Sequence, residues 1–141
     1  MAQKTVDTTR MSLKFKNVKM ANQVATIKAL LFARETVMAE TIKNLSGPHY
    51  KIGTSGPQTG RMPIPRMTGD LARSLAHQKL SDLLYRIYSD QKIAPYAKFV
   101  HDGTKRMKPR RYLYDAVKAK KQAIINRMRN ELKIAIRKVG R

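Results

Sequence analysis

From Met20 onward the large apolar residues fall at Val24, Ile27, Leu31, Met38, Ile42 and Leu45, one face of a helix, and the run stops at Ser46-Gly47-Pro48. This spacing predicts a helix over residues 20–45. Ahead of it, residues 1–19 are polar and basic, with one short alternation at Leu13-Lys14-Phe15 that reads as an arm or an edge strand. Behind it, residues 47–66 hold Gly47, Pro48, Gly53, Gly56, Pro57, Gly60, Pro63 and Pro65, a long loop of a kind that in compact domains serves a function or orders on binding.

Periodicity resumes at Thr68, a plausible helix cap for Asp70-Leu71-Ala72-Arg73-Ser74-Leu75, where Leu71 and Leu75 share a face and Asp70 sits in the first turn. Leu83-Leu84-Tyr85-Arg86-Ile87-Tyr88 alternates and is rich in strand formers, with Ser89-Asp90 as its turn. Pro95 to Val100 reads as a short packed helical segment ended by Asp102-Gly103. A last helix is predicted from about Pro109 to Val139, stopped by Gly140. Along it Leu113, Val117, Ile124, Met128, Leu132, Ala135 and Val139 make an apolar stripe, while Lys118, Arg129, Lys133 and Arg137 line up on another face. The expected architecture is α+β: a long N-terminal helix, a small antiparallel sheet with a short helix, and a long basic C-terminal helix. It forms one domain over 20–141, preceded by a basic arm over 1–19.

Charge changes this picture most. The 141 residues carry 30 Lys and Arg against 9 Asp and Glu, a net +21, and a body so basic is expected to meet a polyanion or an acidic protein surface. The last 37 residues hold fourteen of those cations and only two acids, Asp115 and Glu131. With no cysteine, disulfides and thiolate metal sites are excluded. No apolar run reaches the length of a membrane span and no cleavable leader pattern is present. The expectation is a chain made and kept in a cytoplasm, in which Asn44-Leu45-Ser46 is a chance match to a glycosylation acceptor.

Candidate catalytic chemistry is thin. His77, His101-Asp102 and Asp115 follow the order of metal-dependent phosphohydrolase ligands. Such ligands converge from several helices of a bundle, whereas here a strand pattern intervenes and the His-Asp pair leads into a Gly turn. A surface His beside a turn Asp is the simpler reading. Gly53-Thr54-Ser55-Gly56 lacks the spacing and the following Lys of a phosphate-binding loop. No nucleophile motif or flanking carboxylate pair stands out, so neither an enzyme nor a cofactor is expected.

Nucleic acid is the better-supported chemistry. Lys118, Arg129, Lys133 and Arg137 are spaced to follow a phosphate track, and Lys105, Arg106, Lys108, Arg110 and Arg111 form a dense basic loop beside Tyr112. An ordinary charged run is a solvated face, but one with almost no interspersed acid weighs the other way. No helix-turn-helix spacing, zinc ligands or aromatic RNA-binding strand occurs, so any DNA contact is expected to be blind to sequence.

Three ordered motifs then stand together: Pro65-Arg66-Met67-Thr68-Gly69-Asp70-Leu71-Ala72-Arg73-Ser74-Leu75; Tyr96-Ala97-Lys98-Phe99-Val100-His101-Asp102-Gly103-Thr104; and Pro109-Arg110-Arg111-Tyr112-Leu113-Tyr114-Asp115-Ala116. With the strand between the first two, they resemble the small neck proteins of tailed bacteriophages, variously described as head-tail connector, tail-completion or minor structural proteins. That family's pattern is roughly T-G-x-L-x-x-S-[IL], a strand, Y-A-x-[YF]-[VL]-E-x-G-T, and R-P-F-L-x-x-A before a C-terminal helix. The resemblance covers about residues 48–120. The family's Glu before Gly-Thr is replaced by His101-Asp102, and its Pro-Phe by Arg111-Tyr112.

The resemblance implies a subunit of a homo-oligomeric ring, of six or twelve copies, in the neck of a virion. Portal, adaptor or head-closure proteins would lie on one side and tail-tube or tail-terminator proteins on the other, with DNA passing through and no membrane involved. Thr68, Gly69, Leu71, Tyr96, Phe99, Gly103, Thr104, Tyr112 and Leu113 would then be residues of the subunit joint. Thr68 and Gly69 would start a helix, Tyr96, Phe99 and Val100 would be apolar anchors, Gly103 a sharp turn, and Tyr112 and Leu113 the dock of the final helix. The competing class is a free, sequence-independent nucleic-acid-binding protein, which accounts for the charge but not for the three ordered motifs.

Overall fold

A computed structural model describes residues 8–47, 64 and 68–139, with side chains described from Ser12 onward. The elements in chain order are α1 (Thr8–Asn44), α2 (Asp70–Arg73), β1 (Leu75–Ser81), β2 (Leu84–Ser89), α3 (Ala97–Asp102) and α4 (Tyr112–Val139). The architecture is mixed α+β and mostly helical. Two long helices are joined at one end by the small elements.

α1 and α4 run antiparallel along one another. Asn44 meets the start of α4, Glu40 pairs with Lys120 at 3.2 Å, Arg127 stacks over Phe32 at 5.4 Å, and Ala25 and Ala135 line the same groove. The buried residues of α1 are Ala25, Ala29, Val37, Thr41 and Leu45, an i, i+4 ridge, and α4 contributes Ala116 and Ala135. Small side chains on such ridges let two backbones approach closely. Thr41, fully buried, satisfies its hydroxyl by donating to the carbonyl of Val37 at 2.7 Å.

This seam differs from the face expected of the first helix: Val24 and Ile42 are 53% and 45% exposed. α1 carries apolar residues on two sides, and the smaller ones take the α4 contact. Half a turn away, Gln23 and Ile27 lie against the tip of the β hairpin, and Arg34 stacks on Tyr85 at 5.6 Å. α1 is therefore the middle layer, with α4 on one side and the hairpin on the other.

Other expectations differ in detail. The arm expected over residues 1–19 is helix from Thr8 on, and residues 1–7 lie outside the described ones. Helix propagation costs little once a packed segment has nucleated it, so the basic stretch simply extends α1. Leu75 belongs to β1, not to the short helix, which ends at Arg73. The strand expected over 83–88 is β2, and its partner β1 was not expected at all; the two pair antiparallel from Leu75↔Ser89 to Ser81↔Leu84, with an irregularity between Lys79 and Ser81. On α4, which begins at Tyr112 rather than Pro109, Val117 is 48% exposed while Tyr112 and Ala116 are buried. The long loop expected over 47–66 lies outside the described residues save for Gly47 and Ile64.

Candidate subunit joint and basic face

The core sits where all the small elements meet: Leu45 from the end of α1, Ile64, Leu71 of α2, Ala94, Ala97 of α3 and Tyr112 of α4, with Ala72, Val100 and Leu113 packed on it. Tyr112 is the pivot. Only 1% exposed, it shares a hydrogen bond between its hydroxyl and that of Ser89 at 3.0 Å, and its ring meets His101 edge-on at 5.2 Å. Its carbonyl accepts from Asn44 Nδ2 at 3.1 Å. One residue thus ties α4 to α1, to β2 and to α3. Burial pushes the Tyr112 phenol above its ordinary value, partly offset by the Ser89 hydrogen bond.

Each motif supplies a piece of this junction. Gly69, at φ 81°, turns the chain into α2, and Thr68 Oγ1 accepts from the amide of Asp70 at 3.3 Å, so Thr68 caps from one residue further out than expected. Leu71 is buried beneath, and Ser74, fully buried, donates to the carbonyl of Leu71 at 2.8 Å. Asp90 opens a turn: its carboxylate accepts from the amide of Lys92 at 2.8 Å while its own amide donates to the carbonyl of Ser74 at 2.7 Å, closing the hairpin base. Gly103 ends α3 at φ 81°, ψ 176°, a region essentially open only to glycine. A Cβ there would stand 2.8 Å from both the Met107 carbonyl oxygen and the Pro109 nitrogen.

Tyr96 and Phe99, expected as apolar anchors, are 41% and 56% exposed; the anchors from that segment are Ala94, Ala97 and Val100. On so short a helix the smaller residues face the core, and the two rings are presented outward. His101 Nδ1 bonds Asp102 at 2.8 Å, and this bond holds the exposed Asp102 carboxyl below its usual range. His77 stands on β1 and Asp115 at the start of α4. Among the described residues no three His, Asp or Glu group as ligands for a metal ion.

The basic loop is held by its own backbone. Thr104 and Met107 exchange amide-to-carbonyl hydrogen bonds at 2.9 and 3.2 Å, and Thr104 Oγ1 accepts from the amides of Arg106 and Met107. Lys105, Arg106, Lys108 and Arg111 are exposed. Arg110 is different: half-buried, it donates its amide to the Val100 carbonyl at 3.0 Å, and its Nε is buried with no hydrogen-bond partner among the described residues.

Six of the α4 cations fall into two groups. Lys120 and Arg127 flank the seam and are paired with Glu40 and Glu131. Lys118, Arg129, Lys133 and Arg137 point away from α1, are exposed, and among the described residues are in no ion pair. At 1.5 Å per residue the last three are about 6 Å apart in succession and the whole row spans about 29 Å. Glu40 and Glu131 are thus spent on the inner side, while the four outer cations make no ion pair among the described residues.

Sequence reasoning missed the leucines at the hairpin tip. Leu80, Leu83 and Leu84 are 53%, 52% and 54% exposed, beside an ion pair of Lys79 with Asp82 at 2.7 Å. Their signal was present, since leucines on both sides of a Ser-Asp turn break the alternation that would have put them inside.

No helix among the described residues is long and apolar enough to cross a membrane. No family model, curated protein or solved structure matches the chain.

Proposed function

We propose that the protein is a structural subunit of a tailed-phage neck. It would assemble as a ring that joins the DNA-filled head to the tail, with no catalytic role. Its basic surface would contact DNA or an acidic neighbour. One observation supports this reading most: the three ordered motifs, separate in sequence, meet around Tyr112 in a single junction, while the unpaired cations of α4 face outward. A protein built only to hold nucleic acid needs the outer row but has no need of that junction, nor of Tyr96 and Phe99 turned to solvent beside it.

The test is microscopy and light-scattering mass on the purified chain, alone and mixed with virion heads or tails, at two salt concentrations. Rings, or particles decorated at the head-tail junction, are expected. A monomer that ignores virion parts yet binds duplex DNA with affinity collapsing in salt would replace this reading with the nucleic-acid-binding one.

A further inference from the structure

The charge of this protein is segregated. Residues 68–102, which hold α2, the hairpin and α3, carry five cations and four acids, a net +1 within a chain of +21. Most of the remaining excess lies on α1, in the loop 103–111 and on α4. The same near-neutral stretch displays exposed Leu80, Leu83, Leu84, Ile93, Tyr96 and Phe99, six of the large apolar side chains that the described residues leave open to water.

Within it, β1 is unusually bare. Among the described residues the hairpin is the whole sheet, so β1 has a partner there on one edge only. Residues His77 to Ser81 are exposed in succession, both faces of the strand alike, because the hairpin leans on α1 through β2. Natural edge strands are blunted by proline, unpaired charge or a bulge. β1 has no proline, its one charged residue, Lys79, is held by Asp82, and its irregularity lies beyond Lys79, so 75–79 presents a regular open edge. A hairpin of two strands is also marginal by itself.

We infer that β1 and the leucine tip of the hairpin are the surface on which a second copy of this chain docks, meeting it with its own near-neutral segment, residues 68–102. The occupant follows from charge. Two bodies of +21 repel wherever their basic helices face each other, and among the described residues this stretch is where copies approach with almost no net charge on either side. Backbone edge pairing supplies hydrogen bonds that need no charge, and the leucines supply apolar area. Because the hairpin lies across α1 from α4, the outer row of cations stays free in the assembly. This deepens, and rests on, the reading of the chain as a self-assembling neck subunit.

The experiment measures mass by light scattering from micromolar to millimolar protein, at ionic strength high enough to screen the charge. Backbone hydrogen exchange is followed on the same samples. Mass is expected to rise with concentration, and alternate amides of 75–79, those not already bonded to β2, to slow by at least about tenfold in the assembled state. The double variant Leu80→Lys with Leu83→Lys, at positions already open to water, is expected to keep its far-UV circular dichroism and lose the high-mass species; Gln78→Lys places the same charge on the strand itself. Oligomers whose β1 amides exchange as freely as in dilute protein, or that survive both variants, overturn the docking surface and leave the neck reading standing. A monomer at every concentration overturns it as well, while the neck reading is then judged separately by decoration of virion parts.

Discussion

Replacing Tyr112 by alanine removes the largest fully buried side chain of the described structure. An aromatic-to-alanine change in a core costs about 3 to 5 kcal/mol through lost transfer energy and the cavity left behind. The junction has little means of collapsing into that space, since Leu45, Leu71 and Ala97 come from three elements each fixed by its own hydrogen bonds. For a domain whose whole stability is of order 5 to 15 kcal/mol this is a large share. At about 3 to 5 °C per kcal/mol for a chain of this size, the thermal midpoint should fall by roughly 9 to 25 °C. Tyr112→Phe isolates the hydroxyl: it keeps the ring against His101 and leaves Ser89, half-buried, to bond water, so about 1 kcal/mol is expected, or about 3 to 5 °C. Thermal denaturation followed by circular dichroism reads both. If Tyr112→Ala melts within about 2 °C of the parent, a shift worth less than 1 kcal/mol, Tyr112 is not the pivot described here.

Alkaline unfolding gives a second view of the same residue. The folded phenol has a raised pKa, so its stabilising contribution is intact below the ordinary tyrosine value near 10 and is lost as pH climbs from there through the raised value; Tyr112→Phe should flatten that limb of a stability-against-pH curve relative to the parent. The two positive-φ glycines should separate. Gly69→Ala meets open space and is expected to cost about 1 to 2 kcal/mol of backbone strain, whereas Gly103→Ala also collides with Met107 and Pro109 and should cost more, as read by denaturant midpoints. Ala29→Leu, at a fully buried position of the seam, is expected to destabilise by about 1 to 3 kcal/mol through overpacking, checked in the same titration. If the outer row of α4 touches duplex DNA, changing Lys118, Arg129, Lys133 and Arg137 together to alanine should lower the slope of log K against log salt by about 3 to 4; an unchanged slope removes them from the contact.

The long helices and the junction motifs were legible because their signals are local: periodicity, Gly and Pro stops, a Thr-Gly start, an aromatic opening the last helix. What escaped depends on contacts far along the chain. β1, with the sequence Leu-Ala-His-Gln-Lys-Leu-Ser, has no β-branched or aromatic residue, and it is a strand because β2 pairs with it. The α1 seam matches the expected face only in part, at Leu45, because large apolar side chains mark burial in general, while closeness to α4 selects Ala25 and Ala29. The spacing of the outer cations marks one row, yet only the pairing of Glu40 with Lys120 and Glu131 with Arg127 distinguishes that row from the inner set. Tyr96 and Phe99 were misjudged for the converse reason, since Ala94 and Ala97 fill the space an aromatic pair would claim.

Placing the hairpin and α4 on opposite sides of α1 also gives the molecule a direction. Near any polyanion, a body whose cations crowd one flank feels a torque as well as a pull. It rotates as it diffuses and arrives with α4 leading and the hairpin trailing. Under the proposal of a neck subunit, a copy captured that way would present its least charged surface to the solvent from which the next copy comes, so that anchoring would precede lateral joining.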